Sequence, residues 1–395
     1  METGRYLRLL RRMNWTILGS IIVLAVVGVL FVRSACYSNI VEDQSAVRYQ
    51  KQVMWSIVGF VCLIGFTLVD YRKLARHAWW AYGAAVFLLI LVLLVGRTVH
   101  GGRRWLWFMG IGFQPAEFAK VAVIILLAWI MGLKTFRTDS YSSAVLVLAV
   151  VGIPTLLVSR QPDVGTAAVF VPVIFTMMFV AGFSWRILLS LILVGVVVVS
   201  VFVGALFLPA KLGCSPETQA RITKVTGAKP YHRQRIETFL HPDSDPLGAG
   251  WSRMQSEIAV GSGGLWGKGY LNGTANILGF LPRTVAPTDF IFSVVAEEAG
   301  FAGALTVLCL FGATIAGGIR VAAAASDRLG RLLCIGVVTM LFTHVFVNVA
   351  MTVGRLPITG LPLPLMSSGG SITVTTLIGL GIVQSVYVRR RIIRY

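Results

Sequence analysis

The sequence predicts an all-α integral membrane protein with about ten transmembrane helices and one long loop outside the cytoplasm. Hydrophobic residues make up 56% of the chain and charged residues only 13%, and the mean hydropathy is +0.80. A soluble domain of this composition would have too little polar surface to cover itself. Ten apolar runs approach the length of about 20 residues that a helix needs to cross a hydrocarbon core of about 30 Å.

The apolar runs predict one transmembrane helix each, over residues 15–33, 53–69, 78–96, 115–133, 143–158, 164–182, 186–208, 289–319, 331–353 and 368–388. The first run follows a basic stretch but has no small-residue cleavage site, and further spans follow it. We therefore expect a retained helix there, not a signal peptide. Together the runs predict a single membrane domain over 1–395, with its long loop at about 209–288.

Basic residues concentrate in one set of alternating connections, such as Arg72, Lys73 and Arg76 and the run of Arg389, Arg390 and Arg391. Connections rich in Lys and Arg stay in the cytoplasm, so both termini are predicted to be cytoplasmic and the polar motifs to face outwards. Much of the net charge of +19 is this topology signal, and nucleic acid is not an expected partner.

The long loop ends in a glycine-rich stretch that alternates apolar residues with glycines, IAVGSGGLWGKGYLNGTANILGF from Ile258. Such a segment suits the membrane surface, or a re-entrant position where protein shields its backbone. Within it, GSGGLWGKG resembles a phosphate-binding P-loop, but Gly269 stands where a magnesium-binding Ser or Thr is needed. No nucleotide cofactor is therefore expected. Cys36 and Cys214 both lie in outer loops, and the sequence leaves a disulfide between them open.

Charged and polar residues inside a bilayer are costly, which makes them candidates for function. Glu117 and Lys120 are three residues apart at the start of the fourth span, so they share a face and pair, for helix packing or for function. His344 and Asn348 share a face of the ninth span, which favours a hydrogen bond between helices. Asp163 in the Pro-Asp-x-Gly turn is either a helix cap or a functional carboxylate.

Asp289 stands at the start of the eighth span, where it either caps the helix or acts chemically. Glu297 and Glu298 follow about 12–14 Å deeper along that helix. Adjacent carboxylates point about 100° apart on a helix, so these two do not form a ready acid–base pair. We expect at least one to face a polar interior and to pair with a cation.

Two arginines and a tryptophan stand together in the second outer loop, and the arginine pair suits a phosphate. Guanidinium groups offer paired donors to phosphate, which Arg103 and Arg104 would supply. Trp105 beside them is either part of the site or a residue of the aromatic belt at the membrane interface.

These motifs resemble the SEDS family, the RodA, FtsW and SpoVE proteins of bacterial cell-wall synthesis. The resemblance covers about residues 15–388, in GGRRWLWF…FQPAEFAK, RQPDVGTA, MQSEIAVGSGGLWGKGY, FLP…TDFIFSVVAEEAGFAG and VNVAMTVGRLPITGLPLPLMSSGGS. The stretch DPLGAGWSRMQSEIAVGSGGLWGKG is closer to the RodA branch than to FtsW.

The resemblance implies a peptidoglycan glycosyltransferase of the cytoplasmic membrane that polymerises lipid II at its outer face, for cell elongation and rod shape. The family's essential aspartate falls on Asp289, its Arg-Arg-Trp motif on 103–105, and its Gln-Pro-Ser-Glu-x-x-Lys motif on 114–120. We expect Asp289 to be catalytic and the substrate-binding residues to be Arg103, Arg104, Trp105, Glu117, Lys120, Asp163 and Lys268. Glu297, Glu298, His344 and Asn348 are the expected structural polar residues within the membrane.

The implied partners are a class B penicillin-binding protein that crosslinks the product and other membrane proteins of the elongation complex. The leaving undecaprenyl diphosphate needs positive charge, from arginines or from a divalent cation, for which an oxygen-rich site would suit magnesium or manganese.

The chain departs from the family pattern around the expected catalytic loop. Leu281-Pro282-Arg283 and Pro287-Thr288-Asp289 replace Leu-Pro-Glu-x-His-Thr-Asp, with two extra residues before the aspartate.

Two other functions stay open at this point. Ten helices, intramembrane charges and a lipid substrate also fit a lipid II flippase. A flippase should expose substrate-binding charge on both faces in turn, whereas the inner loops here are short and carry only the basic residues of the topology signal. An inactive scaffold that only recruits the transpeptidase is the other alternative, because the loop before Asp289 is altered.

Overall fold

The structure is a computed structural model that describes residues 9–37, 45–99, 102–108, 111–211, 237–240, 248–282 and 284–390. Within these ranges, ten helices are long and apolar enough to cross a membrane, as the sequence predicts. They are α1 (Trp15–Cys36), α2 (Ser45–Leu68), α4 (Ala78–Val95), α5 (Pro115–Gly132), α6 (Tyr141–Arg160), α7 (Val164–Ala181), α8 (Trp185–Lys211), α11 (Ile291–Ala323), α12 (Arg328–Thr352) and α13 (Gly370–Arg389).

Shorter elements lie in the connections. They are the helices α3 (Tyr71–Arg76), α9 (Ala249–Ser262) and α10 (Thr274–Ile277) and the strands β1 (Arg97–Val99), β2 (Gly102–Phe108) and β3 (Ile111–Phe113). The predicted loop at 209–288 therefore contains two helices in its second half. Cys214, and with it the question of a disulfide to Cys36, lies outside the described residues.

The prediction of an all-α membrane protein is confirmed. Three short strands lie in the connection between α4 and α5. They form a three-stranded antiparallel sheet in the order β1-β2-β3, with Arg97 opposite Trp105 and Trp107 opposite Gly112. Three of the seven residues in GRRWLWF are aromatic, a residue type that is enriched in strands.

Helices α5, α12 and α13 form the centre of the bundle, whereas α8 is almost entirely exposed along one side. The central helix α13 packs along α2, α5 and α12. Helix α2 approaches it closely at Gly381, where a Cβ atom would stand 2.7 Å from the carbonyl oxygen of Leu63. Glycine at this position therefore lets two membrane-spanning backbones come into contact.

The spans alternate in direction, so their ends fall into two sets. The ends that meet around Asp289 are called the Asp289 end here. Helix α1 begins and helix α13 ends at the opposite end. There the backbone of Asn14 exchanges hydrogen bonds of 2.9 and 3.0 Å with the side chain of Gln384.

Polar contacts also fasten that opposite end. The guanidinium of Arg389 donates to the carbonyl oxygens of Thr67 and Leu68, in the last turn of α2. Asp327, which caps α12, accepts from Arg72 at 2.8 Å and from the hydroxyl of Tyr71 at 3.0 Å. Burial raises the pKa of Tyr71 to about 12, so the phenol stays a hydrogen-bond donor at neutral pH.

Helix α11 is broken at Gly300, whose φ of 68° and ψ of −168° are not helical. Residues 301–323 alone span roughly 34 Å, enough to cross a bilayer, and expose a lipid-facing side. Residues 291–298 are instead buried by protein. The predicted single span at 289–319 is therefore two helical segments.

This break corrects the expected depth of Glu297 and Glu298. Both lie on the segment before the break, and Glu298 accepts a hydrogen bond of 2.5 Å from Ser34 in the last turn of α1. They are therefore level with the end of α1, at the Asp289 end of the bundle, and not midway along it.

Candidate active site

Asp289 follows a series of turns that holds its backbone. Its amide donates to the carbonyl oxygen of Val285 at 2.9 Å. Helix α11 begins only at Ile291, with Phe290 in the N-cap position and no side-chain cap. Asp289 is therefore not the helix cap that its position allows. Its carboxylate, half-buried, faces Gly360, where Oδ2 would lie 3.7 Å from an added Cβ.

The loop at 353–369, between α12 and α13, forms the second wall of the site. The amide of Ser368 donates to the carbonyl oxygen of Pro287 at 2.7 Å, and the hydroxyl of Ser367 donates to that of Thr288 at 2.5 Å. Gly360 has a φ of 76°, a conformation that favours glycine. These contacts fix the two loops to each other immediately before Asp289.

Asn348 joins both loops to α12. Its side-chain amide donates to the carbonyl oxygens of Asp289 and Leu361, each at 2.8 Å. The sequence predicted a hydrogen bond between helices for this residue, but Asn348 instead bonds to backbone on either side of the site. Asp289 is thus held from the helix below it as well as from its own turn.

One helical turn away on α12, His344 completes a buried polar stack. The Lys120 ammonium on α5 lies 2.8 Å from Glu117 Oε1 and 2.6 Å from His344 Nε2. An ammonium can only donate, so Nε2 accepts and Nδ1 carries the ring proton, facing the carbonyl oxygen of Pro362 at 3.4 Å. The predicted Glu117–Lys120 pair is confirmed, and through His344 it supports the loop opposite Asp289.

Asp163 is the N-cap of α7, as predicted from its turn, and accepts from the Thr166 amide at 3.1 Å. Its other oxygen accepts from the side chain of Gln114 at 2.9 Å and lies 3.9 Å from the Arg104 guanidinium. The carboxylate is buried and has a partner on each oxygen. In this structure Asp163 therefore ties α7 to the start of α5 and to the sheet.

Strand geometry separates the expected arginine pair. Neighbouring residues of a strand point to opposite faces. Arg104 turns inwards and donates to the carbonyl oxygens of Gln161, at 3.2 Å, and of Pro162. Arg103 is exposed, and Trp105, on the same face of the strand, is half-buried.

Lys268 lies against the broken part of α11. Its ammonium is 2.6 Å from Glu297 Oε1 and 2.6 Å from the hydroxyl of Thr274. Glu297 thus has the cation partner that the sequence predicted. Lys268 was expected to bind substrate, and in this structure its ammonium is paired with the carboxylate of Glu297. The glutamate of this ion pair is buried and the lysine is partly exposed.

Some residues of the site were not singled out from the sequence. Gln114, Ser367 and Gly360 are among them, because their roles are contacts between loops far apart in the chain. Among the described residues, no three His, Cys, Asp or Glu side chains come together as a metal site.

A ten-span bundle with a carboxylate held between two loops at one end defines a polytopic membrane protein with a polar site at the ends of its helices. A family model described as "Cell cycle protein", of the FtsW, RodA and SpoVE proteins, matches residues 12–392. The chain belongs to this family.

Individual relatives agree over nearly the whole chain. It is 36% identical to the peptidoglycan glycosyltransferase MrdB of Escherichia coli (strain K12), with 92% of each chain covered. It is 33% identical to the peptidoglycan glycosyltransferase RodA of Treponema pallidum (strain Nichols), covering 95% of this chain and 98% of that one.

A solved structure extends the likeness to the fold. It was described as showing the structural coordination of polymerization and crosslinking by a peptidoglycan synthase complex. Its matching chain is 29% identical, with a TM-score of 0.76 and coverage of 96% of this chain and 99% of that chain.

Proposed function

We propose that this protein is a peptidoglycan glycosyltransferase that polymerises lipid II into glycan strands. The observation that carries the proposal is the placement of Asp289, held by Val285, Asn348 and the 353–369 loop at the ends of the spans. The relatives named peptidoglycan glycosyltransferases support it over 92% or more of this chain.

In the proposed reaction Asp289 is the general base. Its carboxylate takes the proton of the 4-hydroxyl of the incoming lipid II sugar, and that oxygen attacks C1 of the growing strand. The new C–O bond forms as the bond from C1 to the undecaprenyl diphosphate breaks, with inversion, and the electron pair leaves with the diphosphate. General-base catalysis of this kind contributes roughly 10²–10⁴-fold.

The energy of the reaction comes from the sugar–diphosphate bond, so the proposal needs no nucleotide. The developing negative charge on the diphosphate is stabilised by cations. Arg103 is the exposed guanidinium on the sheet and serves this role, whereas Arg104 holds the neighbouring turn. A magnesium or manganese ion, which the carboxylate of Asp289 would hold, would supply further positive charge to the leaving diphosphate.

Orientation follows the distribution of basic residues. The proposal places the Asp289 end at the outer face of the cytoplasmic membrane and the opposite end, with Arg72 and Arg389, in the cytoplasm. A class B penicillin-binding protein is the proposed partner, since the structural neighbour belongs to a complex that coordinates polymerization with crosslinking.

Purified protein, with and without this partner, would be given fluorescent lipid II and magnesium or manganese, and the products separated on a gel. We expect long glycan strands from the wild type and none from Asp289→Asn. The matched control is Asp139→Asn, which alters an exposed carboxylate in the connection between α5 and α6 and should leave polymerisation unchanged.

Folding of each variant would be checked by thermal unfolding in detergent. Full polymerase activity of a folded Asp289→Asn variant would remove Asp289 from the mechanism. Movement of lipid II across vesicles without any polymer would favour a flippase, and neither activity would favour a scaffold.

A further inference from the structure

The break in α11 interrupts the helix at Gly300, 11 residues or about three turns after Asp289. In a continuous helix, the carbonyl oxygens of Glu297 and Glu298 would accept from the amides of Phe301 and Ala302. Gly300 turns the backbone away, so these four groups lose their partners within the helix. Backbone groups at this depth need other partners, because an unpaired buried amide or carbonyl is costly.

The glycine-rich segment 263–273 supplies all four partners. The amides of Lys268 and Gly269 donate to the carbonyl oxygens of Glu297 and Glu298, both at 3.0 Å. On the other side of the break, the amide of Phe301 donates to the carbonyl oxygen of Gly264 at 2.9 Å. The amide of Ala302 likewise donates to Leu265 at 3.1 Å. The segment thus replaces the missing helical turn.

Close backbone contact explains the glycines. A Cβ on Gly267, whose φ is 79°, would lie 2.1 Å from the carbonyl oxygen of Glu298. A Cβ on Gly263 would lie 2.0 Å from that of Ala296. Gly264 also has a positive φ, of 57°, but nothing lies within 4 Å of its added Cβ. Two positions of the segment therefore require glycine for contact with α11, and a third requires it only for its conformation.

Side chains reinforce the backbone contacts. Glu297 Oε1 accepts from Lys268 Nζ at 2.6 Å and from the Ala275 amide at 3.1 Å. Glu298 accepts from Ser34 on α1 at 2.5 Å and from the Leu271 amide at 3.2 Å. The two adjacent carboxylates therefore fasten both the glycine-rich segment and the end of α1 to the same short stretch of helix.

We propose that the segment 263–273 is a positioning element of the active site. It holds residues 291–299, and with them Asp289 two residues upstream, at a fixed place relative to α1. The residues of the segment act through the part of α11 before the break, residues 291–299, called the half-helix here. They are not catalytic residues. The inference rests on the proposed function, because the position of Asp289 matters only if that carboxylate acts in the reaction.

The test compares Gly267→Ala with Gly264→Ala. Both place a side chain at a positive φ, so both carry the conformational cost of that change. Only Gly267→Ala collides with α11. Hydrogen–deuterium exchange would be measured for peptides covering 263–273 and 299–304, together with kcat and KM for lipid II polymerisation.

We expect Gly267→Ala to speed exchange in both peptides and to lower kcat by roughly 100-fold, since small displacements of a catalytic group have effects of that size. KM for lipid II should stay unchanged. Gly264→Ala carries the conformational cost without the collision, so it should speed exchange and lower kcat much less than Gly267→Ala does. Equal effects of the two changes on exchange and kcat would overturn the inference, and so would faster exchange with unchanged kcat.

If Gly267→Ala cannot be recovered folded, Glu297→Gln takes its place, because it keeps the side-chain shape and removes the charge that holds Lys268. It should speed exchange in the same two peptides and lower kcat, and wild-type exchange and kcat in this variant would overturn the inference. Should the wild type fail to polymerise, the proposed function falls while the exchange contrast still decides whether the segment holds the half-helix.

Discussion

The side chain of Asn348 donates a hydrogen bond of 2.8 Å to the backbone carbonyl of Asp289, 59 residues earlier in the chain. The same amide group donates to Leu361 at 2.8 Å. One carboxamide thus sets the spacing between the turn that carries Asp289 and the loop that faces it. Its precise placement depends on α12, whose core side chains are buried.

Replacement of this carboxamide should impair catalysis more than stability. Asn348→Ala removes both donors and leaves two carbonyl groups without that partner, a loss of about 1–3 kcal/mol in the free energy of unfolding. We expect kcat for lipid II polymerisation to fall more in Asn348→Ala than in a variant that loses similar stability far from the site. Asn14→Ala is the control, because it removes a helix cap at the opposite end for about 1 kcal/mol. A similar kcat in the two variants would contradict the role of Asn348.

The effects of replacing Glu117 and Lys120 on the free energy of unfolding should be strongly non-additive, because the two side chains form a buried ion pair. Lys120→Met leaves the Glu117 carboxylate buried without its cation, which costs about 3–5 kcal/mol for pairs of this kind. The double change Glu117→Gln with Lys120→Met removes both charges and should recover much of the loss. Thermal unfolding in detergent of four proteins, the wild type, Lys120→Met, Glu117→Gln and the double variant, measures the coupling. Additive effects of the two single changes would argue against a pair.

Replacing Arg104 should lower the stability of the protein, whereas replacing Arg103 should lower its activity. Arg104→Ala removes hydrogen bonds to the turn at 161–163 and should lower the free energy of unfolding by about 1–3 kcal/mol. Arg103→Ala alters an exposed side chain and should leave stability unchanged while weakening turnover of lipid II. Unfolding curves and polymerisation rates for both variants test this division, which fails if Arg103→Ala has wild-type turnover.

Arg389 stabilises the contact between α13 and α2 at the end of the bundle away from Asp289, and its effect on stability can be measured there. Arg389→Met removes the donors to the last turn of α2 and should cost about 2–3 kcal/mol, the range for hydrogen bonds that involve a charged group. Arg390→Met is the matched control, because Arg390 donates to Tyr387 of its own helix. The midpoint of thermal unfolding should be lower for Arg389→Met than for Arg390→Met. Equal midpoints would show that Arg389 does not stabilise the contact between α13 and α2.

Hydropathy alone predicted ten spans, because lipid-facing helices must be apolar along their length. The same reasoning could not find the break at Gly300, since a glycine in an apolar run does not by itself end a helix. It also missed the sheet at 97–113, because its strands have only three to seven residues and show no alternation of polar and apolar side chains.

Pairs close in sequence, such as Glu117 with Lys120, were predictable from helical spacing. Other contacts were not. The bonds of Asn348 to Asp289 and of Lys268 to Glu297 join residues that only the folded bundle brings together. Local spacing carries no information about such partners, so these residues could be named as candidates but their roles could not be assigned.

Helix α13 has the most enclosed surface of the described spans, yet it is the last of them to leave the ribosome. Helices α2, α5 and α12 all pack on it, and their contact surfaces stay open until residues 370–389 enter the bilayer. During synthesis the earlier spans can pack on one another, but the surfaces that face α13 lack their partner until that helix is inserted. A nascent chain interrupted before Gly370 would therefore leave the central contact surfaces of α2, α5 and α12 uncovered.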